Sequence, residues 1–507
     1  MIAEGVHPQA VPESLGYPGG VGAPAIWHPH LRHDFPDDSG GHFSTLCPAL
    51  AALAGGYPLK APTIRARYTL AILFAINLLN FYDRHIPGAI VEPLRKDWGL
   101  SDAQIGWLAT AFTLLYAVVG VPFGRLSDRF QRSKLLGLGI AAWSLLTAAS
   151  GLAWNYGALF AARLGVGIGE ATCAPASNSL IGDLYPARQR ARALSFFTLG
   201  LPLGGFLGIF LSGRIAAAHG WRVPFYVAAA PGIILALLAL TISEPRRGAA
   251  ETSPTAGRSP EGSPYWRILR IPSMRWIILS GAFFNFNMYA IPAFLPAFLS
   301  RYHHLHLKEA SAMAAVVFSA MGIPGLLLGG WVADYFGKVA PGGRLLVSCF
   351  AVFFQAPLVY FALNRPPGEF VGFALLMGSG CLLGYVYYSG VYATIQDLIP
   401  PSLRGTAMAL YFCFMYLIGG SFGPVITGGL SDHFARVAMA ASGATTMTEP
   451  LRAVGLHRGM YIIPICALAV TFVLFMASRT AAADMHELHL WMAQPAGKPA
   501  FAAQAQS

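Results

Sequence analysis

The chain is punctuated by stretches of roughly 20 almost wholly apolar residues, and a helix of that length, rising ~1.5 Å per residue, just crosses the ~30 Å hydrocarbon layer of a bilayer. Twelve such stretches predict spans near 66–91, 103–124, 134–153, 156–181, 191–214, 223–243, 275–300, 309–333, 344–363, 369–396, 405–430 and 459–479. A peptide group without water must bond within its own segment, so each span is expected to be a helix and the fold an all-α membrane protein. Composition agrees. The chain is 55% hydrophobic and 11% charged, with a mean hydropathy of +0.53, which is not the profile of a soluble domain.

The net charge of +11 does not imply nucleic acid as a partner, because Lys and Arg fall in short loops between the apolar runs and not on one basic face. With the N-terminus inside, cytoplasmic flanks hold about 19 Lys plus Arg and external flanks about 10, so both termini are expected to be cytoplasmic. Residues 1–64 read as a disordered tail in which His7, His28, His30, His33 and His42 have nothing to fix a metal geometry. Residues 65–243 and 273–482 read as two six-helix bundles, 244–272 as a Pro-, Gly- and Ser-rich linker, and 483–507 as a second tail. Cys47, Cys173, Cys349, Cys381, Cys413 and Cys466 show no CxxC spacing and read as small apolar fillers, so neither metal nor cofactor is expected.

The two bundles repeat one another. NFYDRHIP at 80–87 returns as NFNMYAIP at 285–292, GRLSDRF at 124–130 as GWVADYF at 330–336, and GDLYPARQR at 182–190 as QDLIPPSLR at 396–404. Three landmarks in one order indicate duplication, the architecture in which substrate binds between halves near the midplane. Glycines at four-residue spacing lie on span 2 (Gly120, Gly124), span 5 (Gly200, Gly204, Gly208), span 8 (Gly325, Gly329) and span 11 (Gly419, Gly423). These small faces are expected where helices of opposite halves slide past each other.

Asp83 and Arg84 in span 1 and Arg163 and Glu170 in span 4 would each cost roughly 2.5–3.5 kcal/mol facing lipid, so they should face a polar cavity or one another. Their repeat counterparts are Met288, Tyr289, Met377 and Gly384, all uncharged. A bundle that needed these charges only as scaffold would need them twice, which favours proton coupling over structural pairing. Asp83 and Glu170 are candidate proton carriers, and Arg84 and Arg163 are their partners or an anion clamp. Asn80, His85, Asn285, Asn287, Tyr289, Tyr385 and Tyr388 are candidate cavity residues, with Tyr387 and Tyr392 close by in sequence; an aromatic, sparsely polar lining suits an amphipathic substrate. Asp128 with Arg129 and Arg132, and Asp183 with Arg190, sit at span ends as a candidate cytoplasmic gate. His303, His304 and His306 lack ligand spacing, and no GxSxG, HExxH or phosphate loop is present, so an enzyme is not expected.

The run from NFYDRHIPGAIVEPLRKDWGL to GVPFGRLSDR, followed by RLGVGIGEATCAPASNSLIGDLYPARQRARALSFF, resembles the major facilitator superfamily and, within it, bacterial Spinster-like transporters. The resemblance covers about residues 65–482. Gly124, Asp128, Arg129 and Arg132 match the superfamily's loop after span 2, and Arg163, Gly167 and Gly169 its RxxxGxG pattern. The resemblance implies two pseudo-symmetric six-helix bundles working as a monomer in the bacterial inner membrane. It also implies roles for Asp83, Arg84 and Glu170 in proton coupling and substrate binding. Asp334 matches the second-half gate, but Tyr335 replaces the basic residue that follows. A proton-coupled carrier of lipid-like molecules of the lysolipid or sphingolipid type is therefore expected first, and a proton symporter of small organic anions such as sugar acids second.

Overall fold

The computed structural model describes residues 63–246, 263–400 and 403–493, with the backbone alone at 121, 124, 125, 127–129, 187, 188, 191 and 493. The tail histidines and Cys47 lie outside them. Span 1 (Ile64–Ala89) starts where the Thr63 hydroxyl accepts the Ala66 N–H at 3.2 Å. Span 2 (Asp102–Arg129) starts at a capping box in which Ser101 accepts from the Gln104 N–H and the Gln104 side chain accepts in return. Span 3 is Arg132–Gly151, span 6 Val223–Leu240, span 7 Pro272–Tyr302, span 9 Gly343–Leu363 and span 10 Phe370–Leu398. Span 5 joins Ala187–Thr198 to Gly200–His219. Every described element is helical, and eleven helices are long and apolar enough to cross a membrane.

The twelfth crossing, span 4, is broken into Tyr156–Glu170 and Cys173–Leu184, each too short alone. The break follows Glu170, where Thr172 turns its hydroxyl onto the Gly169 carbonyl at 2.9 Å. Spans 8 and 11 widen into π-helical turns at Ala315–Ala320 and Met415–Gly420, between Leu307–Ala314 and Gly322–Val339 and between Arg404–Phe414 and Ser421–Ala441. Span 12 runs on to Ala493, well past the expected 479, and three short helices (Val91–Trp98, Pro264–Arg270 and Glu449–Gly459) lie where loops were expected. With an even number of crossings the described chain ends share one face, here called the terminal face.

The duplication is visible in the packing. A Cβ on Gly204 would lie 2.2 Å from the Leu78 carbonyl oxygen, and one on Gly419 2.1 Å from that of Ala282; Gly208 meets the Tyr82 oxygen at 2.5 Å as Gly423 meets that of Phe286 at 2.4 Å. Span 5 thus presses on span 1 as span 11 presses on span 7. This corrects the sliding-face reading: these glycines, like Gly325 against the Leu382 oxygen (2.5 Å), tighten contacts inside one half, and Gly120 meets nothing. The glycines that let the halves touch are others. A Cβ on Gly88 would lie 2.3 Å from the Pro292 oxygen, on Gly106 2.5 Å from that of Pro424, and on Gly428 2.2 Å from that of Asp102.

The two classes should respond differently to a side chain. Gly204→Val is expected to overpack one half, at about 1–3 kcal/mol or more, and to lower the thermal midpoint. Gly428→Val is expected to leave the midpoint nearly intact but hold the halves apart opposite the terminal face. Faster hydrogen exchange in 91–98 and 449–459 reads that separation, and unchanged exchange would refute it.

Candidate substrate cavity and gates

Between the halves lies a cavity of about 70 Å3. Arg84, His85, Phe112 and Arg163 line it from the first half, and Asn285, Tyr289, Ser319, Tyr385, Tyr388 and Tyr416 from the second. Arg84 crosses it. Its Nε donates to Glu170 Oε2 at 3.0 Å, its Nη1 to the Tyr289 hydroxyl at 3.4 Å, and its guanidinium lies 4.8, 4.9 and 4.4 Å from the rings of Phe81, Phe112 and Tyr116. Such ring contacts retain a charge where water is excluded. Arg84 and Tyr289 are repeat counterparts, so the pseudo-twofold axis passes between them.

Two sequence motifs set this arrangement. A Cβ on Gly167 would meet the Phe112 carbonyl oxygen at 2.5 Å and one on Gly169 the Gly139 oxygen at 2.9 Å, so the glycines of RxxxGxG press span 4 onto spans 2 and 3 and bring Arg163 and Glu170 to the centre. On span 1, Asn80 donates to Glu170 Oε2 at 2.7 Å. Asp83 accepts from Thr147 at 3.2 Å, and its main-chain carbonyl accepts from Arg163 Nη2 at 3.2 Å.

The four central charges therefore do not form two ion pairs. Arg84 and Glu170 do pair, whereas Arg163 meets Asp83 through the backbone and keeps Nε and Nη1 without partners at 1% exposure. Asp83 Oδ1 and Glu170 Oε1 are also unmatched, and both acids sit behind the lining, where Asn80 sits too. Two nitrogens of a buried guanidinium on a cavity wall thus have no acceptor, an arrangement that can hold an anion. Asn287 lies elsewhere than expected. It donates to the Ile463 carbonyl at 3.0 Å and ties span 7 to span 12, because its place on the helix faces away from the axis. Tyr387 likewise turns toward Ser280 and Tyr411.

On the face opposite the chain ends the halves are locked together by residues that sequence reasoning missed. Arg301, closing span 7, donates to Glu92 Oε1 at 2.6 Å and forks onto both oxygens of Asp102 at 2.7 and 2.8 Å. Asp432 of span 11 accepts the N–H groups of Asp102 and Ala103 at 3.0 and 2.9 Å, capping span 2 from across the interface, and Ser431 donates to Asp102 at 2.6 Å. Arg95 joins Glu92 to Glu449. In the sequence Arg95 and Arg301 count only among the external Lys and Arg of the topology argument, and nothing in the chain marks this set as a lock.

The terminal face differs. Arg132 binds Asp183 and, at 2.6 Å, Glu244, while Arg190 donates to the Gly182 carbonyl at 2.8 Å, all within the first half. In the second, Arg344 binds Asp397 and, at 3.3 Å, Asp334, supplying from span 9 the base that Tyr335 does not. Burial raises the Glu244 carboxyl, but bonds from Arg132 and the Ser133 amide outweigh it and hold the group below its ordinary range. The expected gate residues whose side chains are described thus clasp each half to itself, because the helices they cap belong to one bundle.

Residues 73–424 match the model of the Major Facilitator Superfamily. The chain belongs to that superfamily. An MFS-type efflux pump of Mycolicibacterium smegmatis is 29% identical over 371 residues, 73% of this chain and 85% of that one. A probable L-galactonate transporter of Escherichia coli is 28% identical over 406 residues, 77% and 88% of the two. The solved structure of a bacterial homologue of the human lysosomal transporter Spinster, inward-facing and unoccupied, superposes with a TM-score of 0.73 at 27% identity, covering 84% of this chain and 99% of its own. The protein is thus a multi-pass MFS transporter, Spinster-like in sequence and fold.

Proposed function

We propose that this MFS protein is a proton-coupled secondary carrier of amphipathic, lipid-like anions, working by alternating access as a monomer in the bacterial inner membrane with the terminal face cytoplasmic. The observation that carries the reading is Arg163, buried on the cavity wall with Nε and Nη1 unspent. An anionic head group fits there, and the aromatic wall of Tyr289, Tyr385, Tyr388 and Tyr416 gives its apolar part a surface. A head group that also draws on Arg84 loosens its hold on Glu170, and a buried carboxylate stripped of its partner is costly enough to take up a proton. Substrate and proton then load together. The face opposite the chain ends is latched, so loading in this conformation is from the cytoplasm.

The chemistry is movement across the membrane and no bond is made or broken, in keeping with a superfamily of non-enzymatic carriers. Small hydroxylated acids are the second reading, favoured by the likeness to the L-galactonate transporter. The test is uptake into proteoliposomes of lysolipids and of sugar acids, each with a pH dye. Arg163→Met is expected to lower the affinity for the transported anion about 10–100-fold, the loss of a charged hydrogen-bonding partner. Unaltered affinity would remove Arg163 as the anion site.

A further inference from the structure

We propose that His85 and Ser319 form a hydroxyl-recognising subsite of the cavity, so that the transported anion carries at least one hydroxyl beside its charge. The inference rests on the reading of Arg163 as the anion site. His85 Nδ1 lies 2.7 Å from the Phe81 carbonyl oxygen, which can only accept, so Nδ1 holds the proton and Nε2 of the neutral ring is an acceptor. Among the described residues Nε2 makes no hydrogen bond.

Ser319 is buried to 1% exposure, lines the cavity, and its Oγ has no partner. Some span serines, such as Ser150 and Ser348, donate to the carbonyl four residues back at 2.9 and 3.3 Å. That is the ordinary resting place of a helical serine hydroxyl. Ser319 stands in the π-helical turn of span 8 and makes no such bond. Of the serines whose buried hydroxyls have no partner, Ser144, Ser177, Ser300, Ser311 and Ser319, it is Ser319 that lines the cavity. The two groups are neighbours across the halves. A Cβ on Gly205 would lie 2.9 Å from Ser319 Oγ and 3.5 Å from His85 Nε2, so the missing side chain of Gly205 leaves the gap between them open.

The charge on the lining selects the guest. Arg84 and Arg163 face the cavity while Asp83 and Glu170 stand behind it, so a cationic group is repelled. A hydroxyl is accepted, donating to Nε2 and receiving from Ser319. A ligand without one leaves two buried polar groups unpaired.

Binding to the purified full-length carrier in nanodiscs, by calorimetry, tests this with two matched pairs. One is a lysophosphatidic acid and its analogue lacking the glycerol hydroxyl; the other is gluconate and hexanoate. The wild type is expected to bind the hydroxylated member of at least one pair about tenfold tighter or more. His85→Phe and Ser319→Ala should bring the ratio within about twofold by weakening that member alone, and His85→Gln, which keeps an acceptor, should preserve most of it. Arg163→Met should weaken both members alike. Equal binding of both members by the wild type, or equal losses of both in His85→Phe and Ser319→Ala, overturns the subsite and leaves the Arg163 reading standing. No binding of any probe by the wild type overturns both.

Discussion

Arg301→Met is expected to open the face opposite the chain ends, shifting the equilibrium between closed and open forms by about 10² to several 10³. The Arg301 side chain is 2% exposed and holds both Glu92 and Asp102. Removing one partner of a buried charge set costs about 3–5 kcal/mol, because Asp102 is left desolvated with the Ser431 hydroxyl and no bonded cation, and Glu92 with Arg95 alone. That cost falls only on the closed form, since opening returns Glu92 and Asp102 to water, and each 1.4 kcal/mol is a factor of ten in population. The readout is the distance distribution between labels on Lys96 of the first half and Val454 of the second: a dominant long distance in Arg301→Met, a short one in the wild type. Identical distributions would mean that Arg301 is no latch.

Glu170→Gln is expected to abolish accumulation driven by a proton gradient while leaving exchange of substrate for substrate. The amide keeps the shape and can still accept from Asn80 and Arg84, but it takes no proton, so substrate movement is uncoupled. Asp83→Asn is expected to act in the same direction. The pair of substitutions also separates coupling from scaffolding. A structural ion pair would show itself as a lowered thermal midpoint with accumulation preserved, a coupling acid as the reverse. Accumulation that still rises on external acidification in both variants would end the proposal.

The second half clarifies why these acids were conspicuous in the chain and the lock was not. At the counterpart of Glu170 stands Gly384, and the amide of Gln355 fills the space, 2.8 Å from where a Cβ would be. Internal comparison therefore isolates Asp83, Arg84, Arg163 and Glu170 as charges without duplicates. Arg301 and Asp102 lie at span ends, and Glu92 and Glu449 in short helices between spans, where charge is ordinary. Their meaning comes from where helices about 200 to 350 residues apart happen to end. The glycine stripes misled for a related reason. Four-residue spacing gives a helix face but not the neighbour it meets, and Gly204 and Gly419 meet span 1 and span 7 of their own halves.

The chain by itself determined that this protein spans a membrane many times, is doubled, and keeps four central charges in one half. Each follows from local chemistry: hydrocarbon tolerates only self-satisfied helices of a set length, and an ionised side chain within one must have a use. Tertiary structure alone decided which guanidinium is spent and which is free, which glycines join the halves, and which face is shut. Those depend on the approach of helices distant in sequence, where a shift of one turn changes every partner and leaves the apolar pattern untouched.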